Sequence, residues 1–445
     1  MDIELIKRHA VPVPRYTSYP TANHFHDRIT SAQYVDWLTA LPAGSRLSLY
    51  VHVPFCTELC WYCACTTKAT QRYRPVAHYM RSVHKEIESV AALLPADCTV
   101  ASIHLGGGSP SILEPDDIAA LMAALRRRFD IAPDAEVAVE IDPRHLREAQ
   151  VEAFVKGGIN RVSLGVQDFD PRVQKAIGRI QSYEMTRDAV EMFRKRGVRS
   201  VNIDLVYGLP HQSVATITQT LADVVALAPD RIAAFGYAHL PSRVKPQRLI
   251  DESALPDALE RFAQSQQIVS QLIAAGYERV GLDHFALAGD TLASETVRRN
   301  FQGYTTDPAD ALIGLGASAI SQLPGGFAQN AVATADYERG VTERGLATAR
   351  GIALGEDDRM RAALIERLMC DFVIPVRELS ERFGVAAAPL LDEARAFIAD
   401  DPDGLLVEEP EGFRVTERGR PLVRTICAHF DRYLVRQNAR HALAV

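Results

Sequence analysis

Short apolar, β-branched runs alternate with helix-period stretches through the middle of the chain. The runs are SLYVHVPF (48–55), VASIHLGGG (100–108), AEVAVEIDP (135–143), NRVSLGVQDF (160–169), SVNIDLVYGLP (200–210) and DRIAAFGYAHL (230–240). Between them, Ile118, Leu121, Met122 and Leu125 repeat at the i, i+3, i+4, i+7 spacing of an amphipathic helix, and 189–196 reads the same way. Near-continuous apolar strands separated by helices predict six strand–helix units, with a parallel sheet covered on both faces or closed into a barrel. Ligands in such α/β folds bind at the carboxyl ends of the strands. Polar residues fall at those ends in run after run.

The two ends of the chain differ from this middle. Residues 1–45 include PRYTSYPTANHF, which has neither a helical nor an alternating period and predicts an ordered arm packed by its tyrosines. From about residue 350, Met360, Leu364, Ile365 and Leu368 mark a helix. GLLVEE and GFRVTERG flank a turn at Pro410, and a helix follows through Leu422, Ile426 and Phe430. Helices followed by a hairpin resemble a winged helix. Three units are therefore expected: an arm over 1–45, an α/β unit over 46–345, and a mainly helical, winged-helix-like domain over 346–445.

At 445 residues and 47% hydrophobic, the chain can bury a large core in two or three domains. The net charge of −7 gives no general attraction to nucleic acid or to an anionic membrane. No nucleic-acid partner is expected, and the winged helix reads instead as a lid or substrate-shaping domain. No apolar run approaches the ~20 residues that span a bilayer, and MDIELIKRHA is unlike a signal peptide. A cytoplasmic protein without membrane insertion is expected. Cys98, Cys370 and Cys427 stand singly in apolar surroundings, as buried thiols do.

Cys56, Cys60, Cys63 and Cys65 crowd into ten residues, CTELCWYCAC, directly after the first apolar run. A disulfide framework suits small, core-poor chains in oxidising compartments. A structural zinc site usually draws on two knuckles separated by a longer loop, whereas here there is one compact loop. An iron-sulfur cluster takes thiolates from just such a loop.

The spacing C-x3-C-x2-C resembles that of the radical S-adenosylmethionine enzymes. The resemblance implies that Cys56, Cys60 and Cys63 ligate a 4Fe-4S cluster whose fourth iron is open to S-adenosylmethionine, which the reduced cluster cleaves to a 5'-deoxyadenosyl radical. Trp61 and Tyr62 would shield the cluster from water. The additional Cys65, with PRYTSYPTA at 14–22, narrows the likeness to the oxygen-independent coproporphyrinogen III oxidases, over almost the whole chain. GLDHFA (281–286) and RNFQGYTT (299–306) also resemble that family. The fold implied is an incomplete six-stranded (β/α)6 barrel, open on one side to a large substrate.

By resemblance, GGGSP (106–110) meets the methionine part of S-adenosylmethionine. Two molecules of S-adenosylmethionine are implied. Tyr50, Tyr62, Gly107, Glu140 and Ile320 are assigned to the first, and Gly108, Ser109, Gln167, Arg179, Asp204 and the backbone of Ala238 to the second. A carboxylate at a strand end needs partners, because unpaired burial costs several kcal/mol; for Glu140 an ion pair with Arg144 or Arg161 is the structural alternative. Cys65 is surplus to ligation and is assigned to the chemistry or to a local structural role. Arg15, Tyr16 and Tyr19 of the arm are candidates for substrate contact.

The reaction implied converts coproporphyrinogen III to protoporphyrinogen IX, turning two propionates into vinyl groups by loss of a β-hydrogen, carbon dioxide and an electron. Taking hydrogen from an unactivated carbon exceeds what side-chain acids and bases do, so a cofactor must supply the radical. Four substrate carboxylates call for a locally basic cleft, with Arg15, Arg179 and the arginines near residue 299 as candidates. An electron donor and an acceptor are required, and a monomer is expected. The rivals are a haem-binding chaperone on the same scaffold, whose members typically lack the fourth cysteine and the PRYTSYPTA arm, and an RNA-modifying radical enzyme, for which a basic surface is missing.

Overall fold

The structure, a computed structural model, describes residues 3–434. The far end of the expected C-terminal domain, 435–445, lies outside the described residues. Six parallel strands run β1 (Arg46–Val53), β2 (Thr99–Gly107), β3 (Asp130–Ile141), β4 (Arg161–Gln167), β5 (Ser200–Tyr207) and β6 (Arg231–Gly236). They lie side by side in chain order. Helices α1 (Arg74–Ala91), α2 (Pro115–Arg128), α3 (Glu148–Lys156), α4 (Tyr183–Arg194) and α5 (Val214–Ala226) return the chain between them.

The two helices that the periodicity marks, around 118–125 and 189–196, form as α2 and α4, though α4 already ends at Arg194, and local chemistry sets their ends. Helix α2 opens with Pro115 followed by Asp116 and Asp117, and closes on three arginines, charges that oppose its dipole at both ends. Its Ile118, Leu121, Met122 and Leu125 are buried against the sheet. Strand residues such as Leu49, Val51, Ile103, Leu105, Val139 and Val162 point outward into that helical layer and are fully buried. The alternate residues face the barrel interior, because side chains on a strand change face at every step.

The sheet extends beyond six strands. Helix α6 (Ala258–Ala274) follows β6; beyond it antiparallel β8 (His284–Leu287) pairs with β6, and β7 (Tyr277–Val280) pairs with β8. On the other side β9 (Ala311–Leu315) adds to β1 in parallel, followed by antiparallel β10 (Ile320–Leu323), β11 (Gly326–Asn330) and β12 (Thr348–Ala353). The outer strands β12 and β7 do not pair with each other, so the barrel is open.

The C-terminal part holds α7 (Glu356–Asp371), α8 (Val376–Phe383), α9 (Ala388–Asp400) and α10 (Val423–His429). With them is an antiparallel sheet in the order β13 (Val373–Pro375), β15 (Gly412–Val415), β14 (Leu406–Glu409), the hairpin turning at Pro410. Helices with such a hairpin make the winged-helix-like arrangement.

The arm is not one irregular segment: it contains helices at Ile3–His9 and Ser31–Thr39. Its apolar residues Leu5, Ile6, Tyr16 and Tyr19 join the core of the C-terminal part, not the barrel's. Arg8 and His9 bind Asp403 there, and the Tyr16 hydroxyl donates to Asp431 at 3.1 Å.

Candidate functional site

The cysteine loop is tied down at both ends. Phe55–Cys56 pairs with Lys68–Ala69, and the amides of Gly108 and Ser109 donate to the carbonyls of Val53 and Phe55, each at 2.8 Å. A Cβ on Gly108 would sit 2.4 Å from the Phe55 oxygen, so only glycine lets β2 approach the loop this closely. Gly107, at φ +112°, lies under the His52 ring. Inside the loop, the Trp61 amide donates to the Ile177 carbonyl at 2.9 Å and its ring lies on Gly178, while Gln247 donates to the carbonyls of Tyr62 (2.9 Å) and Ala238 (3.0 Å).

Cys56, Cys60, Cys63 and Cys65 all line one cavity of about 320 Å³ at the carboxyl ends of the strands. Among the described residues no three His, Cys, Asp or Glu side chains converge on a point as ligands of a single ion do. Three thiols around one space suit a group in which each binds a different iron.

Two guanidiniums reach Cys60 Sγ, Arg144 Nη2 at 3.4 Å and Arg179 Nη1 at 3.3 Å. Both also hold Asp142: Arg144 Nη2 at 2.7 Å and Arg179 Nη2 at 3.3 Å. Burial would raise Asp142, but Arg179 and then Arg144 outweigh it and hold its carboxyl down at about 2. Burial pushes Cys56 up to about 11 against a hydrogen bond with Thr67 (3.3 Å). Hydrogen bonding from Cys65 brings Cys63 down to about 7, the Cys65 amide lying 3.4 Å from its sulfur. Soft thiols flanked by cationic donors, with Arg179 Nε buried and lacking a hydrogen-bond partner, fit an iron-sulfur cluster.

The same cavity is lined by Tyr62, Gly107, Gly108, Ser109, Glu140, Gln167, Arg179 and Asp204. An adjoining lobe of about 460 Å³ shares Cys65, Gly107 and Glu140 with it and adds Tyr50, His52 and Ile320. Glu140 accepts from His104 Nε2 at 2.9 Å and the Gly107 amide at 3.2 Å. Burial would raise its pKa, yet these donors hold it below the ordinary value. The ion pair with Arg144 or Arg161 does not form: those arginines take Asp142 and Glu136. Burial raises Asp204, which accepts from Ser163 (2.8 Å) and Asn202 (2.7 Å). Ser109 is buried on Ser111 and the Asp142 amide.

Several expected residues stand apart. Ala238 lines neither lobe, its carbonyl being held by Gln247. Trp61 packs away from the thiols beside Val173 and Ile177. Tyr16 and Tyr19 are corrections: at 3% and 4% exposure they anchor the arm on the C-terminal part and do not reach either lobe. Arg15 lines a third, adjacent chamber.

His52, His104, Asp142, Arg144 and His284 belong to the site without having been singled out, apart from Arg144 as a partner for Glu140. Their signal lies in the alternation: Tyr50 and His52, His104 and Gly106, Ser163 and Gly165, and Asn202 and Asp204 are polar or small residues two apart within apolar strands, which places them together on the interior face.

Comparison with known proteins bears on the same residues. A family model described as the radical SAM superfamily matches residues 50–224, and one described as the HemN C-terminal domain matches 354–422. The chain is 46% identical over 437 residues to the oxygen-independent coproporphyrinogen III oxidase of Bradyrhizobium diazoefficiens, covering 97% of each. It is 43% identical to the Pseudomonas aeruginosa protein of that name, covering 97% of this chain and 96% of the relative. Among solved structures, the coproporphyrinogen III oxidase (HemN) of Escherichia coli, described as a radical SAM enzyme, matches with a TM-score of 0.91 at 37% identity, over 97% of this chain and 99% of that one.

Proposed function

Since the chain belongs to the oxygen-independent coproporphyrinogen III oxidases of the radical S-adenosylmethionine superfamily, we propose how its residues divide the work. The reaction is the oxidative decarboxylation of coproporphyrinogen III to protoporphyrinogen IX in haem biosynthesis. Bound in the cysteine cavity, a 4Fe-4S cluster and S-adenosylmethionine would supply the radical for removal of a propionate β-hydrogen, which with loss of carbon dioxide and of one electron to an acceptor would convert each of two propionates to a vinyl group.

Cys56, Cys60 and Cys63 hold the cluster. Arg179 and Arg144 compensate its thiolate charge at Cys60, and Asp142 locks both guanidiniums in place. Glu140, with no proton of its own at neutral pH and anchored by His104 and Gly107, presents an acceptor to the ammonium or ribose of S-adenosylmethionine. Two adjoining lobes sharing Gly107 and Glu140 leave room for two molecules of that cofactor, with Tyr50 and Ile320 on one and Gln167, Arg179 and Asp204 on the other. Cys65 opens to both lobes, where it can meet a substrate lying across them.

The observation that carries this reading is the convergence of all four cysteines of the loop on one cavity beside Glu140 and Arg179. Replacing Cys56 with serine tests it. Loss of the cluster's absorption and of protoporphyrinogen formation is expected, and full turnover would overturn the assignment.

The described helices include none long and apolar enough to cross a membrane. We infer a cytoplasmic monomer served by a separate electron donor and acceptor.

A further inference from the structure

Beside the cysteine cavity lies a chamber of about 60 Å³, enclosed between β6, the helix Ala258–Ala274, β7, the arm and α10. Arg15, Arg261, Arg279, Arg299 and Arg424 line it, with Asp283 as the lining's single carboxylate. Arg15, Arg261, Arg279 and Arg299 alone set four guanidinium charges against that one carboxylate. Asp283 is already engaged, its Oδ1 2.9 Å from His284 Nδ1.

The hydrogen bonds of the arginines run mostly to backbone carbonyls, which carry no compensating charge. Arg15 donates to Gly236 (2.5 Å), Arg261 to Tyr237 (2.9 Å), Arg279 to Leu282 (3.0 Å) and Arg299 to Tyr16 (3.2 Å). Arg261 Nε, Arg279 Nε and Arg299 Nη1 are buried without a hydrogen-bond partner, the last lying 4.0 Å from Asp283. Burial lowers the pKa of Arg15, Arg261 and Arg279, and burial followed by the charge of Arg15 pushes Arg424 down to about 10. Gathering like charges out of water costs free energy unless an anion joins them. The fold gathers these arginines from five separate segments, which points to a ligand and away from a structural ion pair.

The volume bounds that ligand. At about 60 Å³ it is less than a fifth of the cysteine cavity's 320 Å³, a side chamber suited to a carboxylate and not to the tetrapyrrole ring itself. Position bounds it further. Phe235 and His284 line the cysteine cavity while their chain neighbours Gly236 and Asp283 line the chamber, and Arg15 is within electrostatic reach of Cys65.

We propose that this chamber seats a propionate carboxylate of the tetrapyrrole that is not being decarboxylated, so that its arginines determine which propionate is presented at Cys65. The assignment rests on the coproporphyrinogen reading above and specifies a binding site within it.

Anaerobic kinetics of the reconstituted full chain test it, with Arg261→Gln and Arg279→Gln on different elements and iron and sulfide content as the check on folding. Each variant should raise KM for coproporphyrinogen III about tenfold, the scale of a lost charge-assisted contact, with KM for S-adenosylmethionine changed less than twofold. Arg279→Lys should recover part of the loss. On the wild type, coproporphyrin III tetramethyl ester should compete at least tenfold more weakly than the free tetraacid, a measurement that needs no variant. Unchanged KM for the porphyrinogen, or equal competition by ester and acid, overturns the proposal while product formation by the wild type leaves the reaction assignment standing. A matching rise in KM for S-adenosylmethionine overturns it in favour of that molecule's carboxylate. No protoporphyrinogen from the wild type removes both readings together.

Discussion

Arg179 Nη1 stands 3.3 Å from Cys60 Sγ while Nη2 of the same guanidinium binds the Gly165 carbonyl at 2.6 Å. A residue from beyond the fourth strand thereby donates to a proposed cluster ligand on the first connection. Donors and positive charge at a cluster thiolate favour the reduced, more negative state. Arg179→Gln should therefore lower the cluster's reduction potential by some tens of millivolts, read by spectroscopic redox titration. An unchanged potential would mean that the contact does not reach the cluster.

Cys65 lines the cavity but is the fourth thiol of the loop, beyond the three proposed as cluster ligands. Cys65→Ser should keep the cluster's absorption and iron content yet lose most protoporphyrinogen formation, whereas Cys56→Ser loses both. Loss of the cluster in Cys65→Ser would make it a ligand.

The Tyr16 hydroxyl ties the arm to buried Asp431. Tyr16→Phe should destabilise the protein by about 1.5–3 kcal/mol, the range for a hydrogen bond to a charged group, measured by denaturant titration. Specific activity of the folded variant should stay within twofold of wild type.

Glu86 on α1 is 1% exposed and accepts from the Gly316 amide (2.7 Å), Asn330 (2.6 Å) and Tyr337 (2.7 Å). Burial outweighs these donors and pushes its carboxyl up to about 7 from an ordinary 4.5. Between those values the folded chain binds a proton that the unfolded chain does not. Its contribution is thus fully present below pH 4.5, falls as pH rises through 7 by at most about 3 kcal/mol, and is flat above. Glu86→Gln should flatten that part of the stability–pH curve; an identical slope would show that Glu86 is ionised throughout.

The barrel was legible because strands buried by helices on one side and a packed interior on the other must be apolar nearly throughout, as Leu47 to Val53 are. Of the polar steps within them, Asp204 stood out at a strand end, whereas His52 and His104 did not, although all three lie on the interior face. The addition of β9 to the free edge of β1 was not legible, since ALIGL is short and interrupted by glycine. Nor was the partner of Glu140: β2 and β3 lie side by side with His104 opposite Ala138, so His104 reaches the carboxylate two residues along before either arginine does.

The arm misled for a different reason. Tyrosines without a period give no face, and only the position of α10 and its neighbour Asp431 determines that Tyr16 and Tyr19 turn inward. The arginine chamber is the furthest from sequence reasoning. Arg261, Arg279 and Arg424 come from a helix, an edge strand and the last described helix, and each alone resembles a solvated surface charge.

The reaction assigned to this chain is a cluster-dependent decarboxylation of coproporphyrinogen III. Its most direct test is anaerobic reconstitution with iron and sulfide, followed by product analysis after addition of reductant, S-adenosylmethionine and coproporphyrinogen III. The account predicts protoporphyrinogen IX together with 5'-deoxyadenosine and methionine. Cleavage of S-adenosylmethionine with the porphyrinogen left intact would contradict it.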